Sequence, residues 1–453
     1  MGATALIRPL HGGEELEFQE PLGIEYLAGA LIAAGSEVAL FDRRLYERQG
    51  TLSRFWEDFF ASGPFATVGF SVMTAEDLPD ALRMLQRIRR EWPETRFLLG
   101  GLYMTLAGAA TGALVPDGVE LVSGEGEGAL LGLPFGPQSW KPAWRPQLAD
   151  YLRAGCVINL RGARGCPGAC AFCATPGLPS ELRSWKGRAI PEIADEIEAL
   201  VGYGAIFNFV EDDFGPLERV EELDAELRAR DLRIAYSLQL RGAALTGEDD
   251  LEARMTRLHE GGFCRLFIGV ESLSKETLRA WHKPLDPEAL AGALHQTERA
   301  GVAVHIGYIL WHAGSTPASV RDEVRELRRQ GFFSTKCVFN RMILFAGSAL
   351  AGGGTQSRWQ ELSADCELWY RELTVRLKPL YNAWVAGATD LPRLVALAHL
   401  TGDDRSQRRV EALLEECDAL AYAAVVDGGY PDDLDAQAAR LAGEIDEVRR
   451  AGR

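Results

Sequence analysis

Three cysteines lie close together in the segment Arg164-Gly165-Cys166-Pro-Gly-Ala-Cys170-Ala-Phe172-Cys173. Their spacing is C-x3-C-x2-C, and the segment follows a predicted strand. Three thiolates at this spacing can bind three irons of a cubane 4Fe–4S cluster, which leaves the fourth iron open to another ligand. A structural zinc site usually has paired C-x2-C units and four protein ligands, and the sequence has no second pair. We therefore predict an iron–sulfur site with Cys166, Cys170 and Cys173 as its ligands.

Short apolar strands alternate with amphipathic helices over residues 1–131 and again over residues 151–350. This alternation indicates parallel sheets with covered faces, which bind ligands at the carboxyl ends of their strands. Residues 132–150 are rich in proline and tryptophan and are interpreted as a linker, and residues 351–453 have helical patterns. The predicted fold class is α/β: an N-terminal doubly wound domain, a partial (β/α)6 barrel and a helical C-terminal domain. The predicted barrel strands are Cys156–Leu160, Ile206–Val210, Ile234–Leu240, Leu266–Val270, Val302–Leu310 and Cys337–Phe345.

The composition is that of an acidic globular protein, with 453 residues and a formal charge of -17. An excess of acidic residues disfavours nucleic-acid binding, which requires cations opposite phosphates, and is compatible with a cationic substrate. A bilayer-spanning helix needs a run of about 20 apolar residues, and neither such a run nor a secretory signal is found. We therefore expect a cytoplasmic chain with no nucleic-acid or membrane partner.

The cysteine motif, the aromatic residue before its third cysteine and the six βα units together resemble the radical S-adenosylmethionine (SAM) superfamily. The resemblance implies that the amino and carboxyl groups of SAM bind the open iron. It also implies that reduction of the cluster, by a donor such as flavodoxin or ferredoxin, cleaves SAM to methionine and a 5′-deoxyadenosyl radical. That radical abstracts a hydrogen atom from a small-molecule substrate.

Several positions at or near the ends of predicted strands fit SAM binding in this family. Phe172 could pack near the adenine or only within its loop, and Asp212 could bind the ammonium of SAM or lie in an exposed acidic turn. His305 is a candidate as well, although a lone strand histidine is more often a hydrogen-bonded core residue. The complete set of SAM-binding candidates is Phe172, Asp212, Ser237, Gln239, Arg241, Glu271 and His305.

The first 131 residues resemble the cobalamin-binding-type domain that precedes the barrel in one branch of radical SAM enzymes. The matching segments are Pro21–Leu27, Gly69–Thr74, Gly100–Thr105 and Gly124–Glu127. Mutase-type cobalamin proteins have a D-x-H-x-x-G motif whose His binds cobalt, and the stretch that corresponds to it here, Asp42–Gly50, contains no His. Cobalamin binding therefore stays open. Residues that would line a corrin or its nucleotide tail, or would only shape strand ends, are Ser71, Thr74, Gly101 and Thr105.

Two reactions compete for this chain, and a scaffold that has lost catalysis is a weaker third alternative. The first reaction is dehydration of a diol in an aminoglycoside-type sugar, and the compact chain resembles radical diol dehydratases of the apramycin type. A separate nicotinamide-dependent reductase could then act on the product. The second reaction is methyl transfer from methylcobalamin, which many members of the branch catalyse. Dehydration needs general acid–base help, for which the candidates are Glu211, Asp213, His282, Tyr308 and His312.

Overall fold

The structure is a computed structural model that describes residues 3–13, 18–108, 115–132, 141–352 and 357–451. The chain forms two compact units. Unit 1 contains Met1–Arg188 and Leu344–Ser357, and unit 2 contains Ala189–Ile343 and Arg358–Arg453. These limits differ from the predicted domains 1–131, 151–350 and 351–453, whose boundaries stay a prediction. Residues 133–140 of the predicted linker lie outside the described residues.

Unit 1 contains a five-stranded parallel sheet in the order β2-β1-β3-β4-β5. In this order β2 lies on one side of β1, whereas β3, β4 and β5 follow on the other side. At such a reversal of strand order a crevice opens between the carboxyl ends of the two strands concerned, here β1 and β3. The strands are β1 Thr4–Arg8, β2 Val38–Asp42, β3 Thr67–Ser71, β4 Arg96–Gly100 and β5 Val119–Leu121. The helices are α1 Leu22–Ala33, α2 Arg43–Arg48, α3 Phe55–Ser62, α4 Leu78–Glu91, α5 Leu102–Ala107 and α6 Gly126–Leu131.

Aromatic and aliphatic side chains fill the space between this sheet and its helices. All five residues of β1 are buried, as is typical of a strand that is covered on both faces. Phe41, Phe59 and Phe65 meet edge to face or tilted, with ring centroids 4.9 to 6.0 Å apart. This core fixes the positions at which the strands end.

Buried polar groups join the sheet of unit 1 to the segment that follows it. The Tyr151 hydroxyl donates to Asp42 over 2.5 Å, and Asp42 also accepts two hydrogen bonds from Arg8. Arg145 pairs with Glu20 at 2.7 Å, and Glu20 accepts from the backbone N–H of Asn159 at 2.6 Å. The elements of this segment are α7 Leu148–Arg153, β6 Ile158–Leu160, β7 Ala163–Arg164, α8 Ser180–Arg183 and β8 Lys186–Gly187.

Unit 2 contains the parallel strands β9 Ile206–Phe209, β10 Ala235–Leu240, β11 Phe263–Glu271 and β12 Ala303–Tyr308, which pair in sequence order. The prediction of a sixth strand over Cys337–Phe345 was wrong, because residues 335–339 form a helix and only β13 Ile343–Leu344 is extended. The helices before the C-terminal region are α9 Ile190–Leu200, α10 Leu217–Ala229, α11 Leu251–Glu260, α12 Lys275–Ala280, α13 Pro287–Arg299, α14 Pro317–Arg329 and α15 Thr335–Phe339.

The C-terminal region of unit 2 is helical apart from the short strand β14 Arg358–Trp359. Its helices are α16 Ala364–Arg376, α17 Lys378–Thr401, α18 Arg405–Val426 and α19 Leu434–Ala451. Residues Leu391, Val395 and Ala396 of α17 pack against the first or second residue of each strand, namely Ile206, Ala235, Cys264 and Ala303. Helix α17 therefore covers the amino ends of the four strands. No helix among the described residues is both long and apolar enough to cross a bilayer.

The hydroxyl of Tyr151 provides a test of the buried network in unit 1. Replacing Tyr151 with Phe leaves the buried Asp42 carboxylate without one donor, which typically costs about 1–3 kcal/mol. We expect the free energy of unfolding to fall by this amount in urea denaturation. Tyr203→Phe is the control, because Tyr203 is 60% exposed and should change little. Equal stability of Tyr151→Phe and the wild type would contradict the account.

Asp418 on α18 provides a test of pH dependence in unit 2. Burial raises the pKa of its carboxyl to about 6, although the N–H and hydroxyl of Thr335 both donate to it. The folded state thus binds this proton more tightly than the unfolded state does. The resulting stability is fully present below the unfolded pKa of about 4 and is lost as the pH rises through about 6.

Asp418→Asn keeps the acceptor oxygen and removes the titration. We expect its thermal midpoint to exceed that of the wild type at pH 8, with the difference shrinking towards pH 4. The exposed Asp427 on the same chain segment gives the control variant Asp427→Asn. A difference from the wild type that does not vary with pH would refute the assignment to Asp418.

Candidate active site

The three predicted cluster ligands lie on one loop of unit 1, whose two ends pair as the antiparallel strands β7 and β8. Within the loop, the N–H of Cys166 donates to the carbonyl of Arg183 over 3.0 Å. Gly165 precedes the first ligand with a φ of +78°, and a Cβ there would lie 2.5 Å from the carbonyl oxygen of Ser184. Only glycine satisfies both conditions, so Gly165 is required for the turn that presents Cys166.

Backbone N–H groups point at two of the three sulfurs. Gly168 donates to the Sγ of Cys166 and Thr175 to the Sγ of Cys173, both over 3.4 Å. Such donors stabilise thiolates, which are the form that binds iron. Among the described residues, no three Cys, His, Asp or Glu side chains converge on one point as ligands of a single ion do. The N–H donors fit a loop whose cysteines act as thiolate ligands, and Phe172 lies half-buried between the second and third of them.

An ion pair joins this loop to the carboxyl edge of the unit 1 sheet. Arg164 immediately precedes Gly165, and its guanidinium lies 2.7 Å from the carboxylate of Glu125, which precedes α6. Burial raises the pKa of the Glu125 carboxyl, with Arg164 opposing, and burial lowers the pKa of the Arg164 guanidinium. Both groups are thus largely removed from water, and each supplies the partner that the other needs.

The carboxyl edge of the same sheet exposes apolar side chains on two neighbouring strands. Met73 and Leu102 follow β3 and β4, and they are 46% and 40% exposed. An exposed apolar surface at the edge where open α/β sheets bind ligands fits a large ligand with apolar faces, as a corrin has.

The predicted corrin-lining residues lie at this edge, although Thr74 and Thr105 already have partners within the chain. The Thr105 hydroxyl donates to the carbonyl of Gly101 and accepts from the N–H of Gly124. Thr74 caps a short 3-10 helix, while Ser71 is the half-buried last residue of β3. Gly101 has a φ of +102°, and a Cβ there would lie 2.5 Å from the carbonyl oxygen of Val72. These contacts shape the edge, and their role toward a corrin stays a prediction.

In unit 2, one face of the β9–β12 sheet has polar side chains. Ser237 and Gln239 point to the same half-buried face, as the alternation predicts, and the Ser237 hydroxyl donates to Asn208 over 2.6 Å. His305 lies across from Phe267, with ring centroids 5.5 Å apart. Burial and the charges of Arg265 and Lys336 lower the pKa of His305 well below its usual value, so its imidazole is neutral.

Glu271 ends β11 in an unusual conformation. Its φ is +67°, and the pairing register with β12 shifts between Gly269 and Glu271. This bulge turns the side chain back over Gly269, where a Cβ would lie 2.1 Å from the Glu271 Oε1. Lys283 lies 3.3 Å from the same oxygen, and burial raises the pKa of Glu271 despite that ammonium. Left-handed backbone at a non-glycine residue is costly and often marks a functional site.

The three carboxylates of the acidic segment after β9 differ in their exposure to solvent. Glu211 and Asp213 are buried, whereas Asp212 is exposed, so the predicted ammonium-binding residue lies on the solvent side. Burial raises the pKa of Asp213, opposed by Arg241, whose guanidinium and backbone N–H both act on this carboxylate. The structure therefore brings together two candidates, Asp213 and Arg241, from adjacent strand ends.

The remaining acid–base candidates have different surroundings. The Tyr308 hydroxyl lies on the helix-covered face, where it donates to Glu323 and accepts from the N–H of Leu273. This placement favours a positioning role for Tyr308. His312 accepts at Nδ1 from the N–H of Gly314 and packs edge-on against Trp281, and burial lowers its pKa. His282 is exposed, with a φ of +53°.

His11, which follows the carboxyl end of the first strand, was not predicted from the sequence as a functional residue. Its Nδ1 lies 2.9 Å from the Oδ1 of the fully buried Asp77. The two residues are 66 positions apart, so no local sequence motif indicates the pair. The signal was available only in the topology, because β1 and β3 are neighbours and flank the crevice.

Comparisons with known proteins agree with the cysteine motif. Residues 160–334 match the family model of the radical SAM superfamily. The chain is 29% identical over 140 residues to a hopanoid C-2 methylase of Rhodopseudomonas palustris, covering 29% of this chain and 26% of that protein. It is 26% identical over 178 residues to an uncharacterized methyltransferase of Pyrococcus horikoshii, covering 39% and 36%. The chain thus matches only about a third or less of the length of these curated relatives.

Solved structures resemble nearly the whole chain in fold. The cobalamin-dependent SAM radical enzyme OxsB, with aqua-cobalamin bound, superposes with a TM-score of 0.74 at 13% identity, over 99% of this chain and 80% of that one. The radical SAM methyltransferase TsrM from Kitasatospora setae, with cobalamin and a 4Fe–4S cluster bound, gives 0.60 at 18% identity over 73% of each chain. At these identities the likeness shows the fold alone.

The position of Gly269 provides a test of the Glu271 site. A methyl group in Gly269→Ala would displace the Glu271 carboxylate and the Lys283 ammonium, which lies 3.1 Å from the added Cβ. If these groups bind SAM, its affinity should fall at least about tenfold, which corresponds to ~1.4 kcal/mol in calorimetric titration. Gly292→Ala is the control, because nothing lies within 4 Å of its Cβ. Unchanged affinity in Gly269→Ala would remove Glu271 from the SAM site.

The family match, the three-cysteine loop and the strands that follow it describe the same part of the chain. A domain of this family implies a 4Fe–4S cluster and SAM as cofactors, a reductant and a small-molecule substrate. Residues 160–334 are therefore a radical SAM domain, in a chain whose fold resembles those of OxsB and TsrM.

Proposed function

We propose that the chain is a cobalamin-dependent radical SAM methyltransferase that acts on a small polar molecule. The observation that carries this proposal is the arrangement of unit 1, in which the apolar edge of the sheet and the cysteine loop are joined by Arg164 and Glu125. The names of the two curated relatives and of TsrM as methyl-transferring enzymes support the same reaction.

In this proposal, unit 1 holds both metal-containing groups. Met73 and Leu102 offer apolar contact to a corrin at the ends of β3 and β4. Glu125 follows β5 at the same edge, and its pairing with Arg164 fixes the start of the cysteine loop relative to that edge. A rigid connection of this kind keeps two reacting groups in a constant geometry, which is a large part of what an enzyme can supply.

Unit 2 supplies the polar groups that would bind SAM and the substrate. When bound, the cluster and SAM supply a 5′-deoxyadenosyl radical, and cobalamin supplies the methyl group that replaces the abstracted hydrogen. Ser237 and Gln239 present a hydroxyl and an amide on one face, and the neutral His305 adds a group that can donate or accept. Lys283 holds the Glu271 carboxylate in place, so an ammonium or ribose hydroxyl meets an oriented acceptor.

Dehydration of an aminoglycoside diol is a second candidate, and the Asp213–Arg241 pair favours it. After abstraction of a carbinol hydrogen, the neighbouring hydroxyl leaves as water, which requires a proton donor, and the remaining hydroxyl requires a base. One further electron and proton from the reductant give a deoxy ketone, which a nicotinamide-dependent reductase could reduce. Burial raises the pKa of Asp213, which makes it able to hold a proton nearer to neutral pH than an ordinary aspartate can. The net charge of -17 is compatible with a cationic sugar.

Product masses separate the two reactions. The protein is reconstituted anaerobically with iron, sulfide and hydroxocobalamin, then supplied with SAM, a reductant and the aminoglycoside neamine. Methyl transfer predicts one S-adenosylhomocysteine and one 5′-deoxyadenosine per product that is heavier by one methylene. A product lighter by one water, formed without S-adenosylhomocysteine and without any need for cobalamin, would refute methyl transfer and support dehydration.

Cysteine variants test the radical step that both reactions share. Cys166→Ala, Cys170→Ala and Cys173→Ala should each lower the bound iron and abolish 5′-deoxyadenosine formation, because each removes the ligand of one iron. Cys156→Ser is the matched control, since Cys156 is a half-buried cysteine of the same unit that lies outside the motif. Formation of 5′-deoxyadenosine by any of the three motif variants at the wild-type rate would refute the cluster assignment.

A further inference from the structure

The carboxyl edge of the unit 1 sheet presents a row of side chains at successive strand ends. In the sheet order β1, β3, β4, these are His11, Met73 and Leu102. The imidazole therefore lies at the crevice end of the row, and the two exposed apolar side chains continue it across the edge. This row is the surface to which the proposed function assigns cobalamin.

Buried acceptors and donors fix the orientation of His11. Asp77 is fully buried and accepts hydrogen bonds from the N–H groups of Met73 and Thr74 and from the Arg44 guanidinium, at 2.7 to 3.1 Å. A carboxylate with these donors acts as an acceptor toward the fourth group, His11 Nδ1, at 2.9 Å. Nδ1 therefore carries a proton, and in the neutral ring the lone pair lies on Nε2.

The His11 side chain is 18% exposed, and its Nε2 atom lies next to Gly13. Residue 13 is glycine, and a Cβ at this position would lie 3.3 Å from Nε2 and crowd it. A histidine that donates one ring nitrogen to a carboxylate, with the other nitrogen left as a lone pair, is the arrangement that most metal-binding histidines share. Imidazole nitrogen is also a good ligand for cobalt and its neighbours in the first transition row.

We propose that His11 binds the cobalt of cobalamin through Nε2, with Asp77 as the residue that positions its ring. This inference rests on the proposed function, because it assumes that cobalamin binds at the carboxyl edge of the sheet. The ligand comes from the loop after β1 and is oriented by a carboxylate 66 positions away. It therefore differs from a D-x-H-x-x-G site, in which the histidine and its aspartate are two residues apart.

Electron paramagnetic resonance of cob(II)alamin tests the bond directly, because its unpaired electron lies along the axial direction. The full chain is produced with ¹⁵N-labelled histidine and loaded with hydroxocobalamin of natural isotopic composition, which is then reduced to the cob(II) state. Coordination by histidine predicts that each parallel cobalt line splits into a doublet in the labelled protein and into a triplet in the unlabelled protein. The nitrogen of the cobalamin's own base is not labelled and would give a triplet in both.

Variants supply the control and a rescue. His11→Ala should still bind cobalamin with weaker affinity and lose the splitting, and added imidazole should restore a triplet. His295→Gln is the matched control and should keep the wild-type spectrum, because the Nε2 of His295 already lies 2.9 Å from the carbonyl oxygen of Gln330. Cobalamin binding is followed separately by its co-elution with the protein in gel filtration.

Each result decides a different claim. A doublet in the labelled wild type supports ligation, and its loss in His11→Ala assigns it to this residue. A triplet in the labelled protein, unsplit lines, or a doublet that survives in His11→Ala would overturn the inference and leave the cobalamin site standing. A wild-type protein that does not retain cobalamin at all would overturn the proposed function, and the inference with it.

Discussion

Buried and half-buried polar contacts that connect the first sheet to the cysteine loop are the constraint on which the site in unit 1 depends. Arg145 pairs with Glu20, Tyr151 donates to Asp42, and Arg164 pairs with Glu125. Burying such groups costs desolvation free energy, so pairs of this kind specify a geometry more than they add stability. Each pair has one partner in the sheet domain and the other in the segment that leads into or begins the loop. The cysteines are thereby placed in a fixed relation to the carboxyl edge of the sheet.

Within the same network, the surroundings of Glu25 favour the protonated form of its carboxyl. Burial raises the pKa of Glu25 well above its usual value, and the neighbouring Glu20 carboxylate adds to this effect, while Arg145 opposes it. Protonation of Glu25 avoids a second buried negative charge beside the single guanidinium of Arg145. The N–H of Trp144 donates to the Glu25 carbonyl over 2.9 Å, so the chain just before Arg145 is also held to α1.

The sequence predicted what depends on local pattern. The C-x3-C-x2-C spacing and the strand–helix alternation of both sheets follow from residue type and period, and the four strands of unit 2 were found within a few residues of their predicted ranges. The helix over residues 335–339 was taken for a strand, because Cys337, Val338 and Phe339 are apolar in succession and suit either structure. The contact that favours the helix comes from a distant residue. Asp418 accepts hydrogen bonds from Thr335 in the first turn of this helix.

Contacts between residues that are distant in sequence could not be predicted from the sequence. The orientation of His11 depends on Asp77 and Arg44, and the conformation of Glu271 depends on a bulge that only the pairing with β12 reveals. Tyr308 lies on strand β12, as predicted, yet the Glu323 carboxylate on α14 engages its hydroxyl on the helix-covered face. The position of a residue in a strand could thus be predicted from the sequence. The partner that orients its side chain by a hydrogen bond or ion pair could not.

The central claim is that one chain holds both a cluster on the cysteine loop and cobalamin on the sheet edge. Native mass spectrometry under anaerobic conditions, after loading with iron, sulfide and hydroxocobalamin, tests this claim most directly. The account predicts a species with the mass of the chain plus one 4Fe–4S cluster and one cobalamin, and a Cys166→Ala variant that keeps cobalamin but lacks the intact cluster. A chain that takes up the cluster and never cobalamin, at any excess of cobalamin, would contradict it.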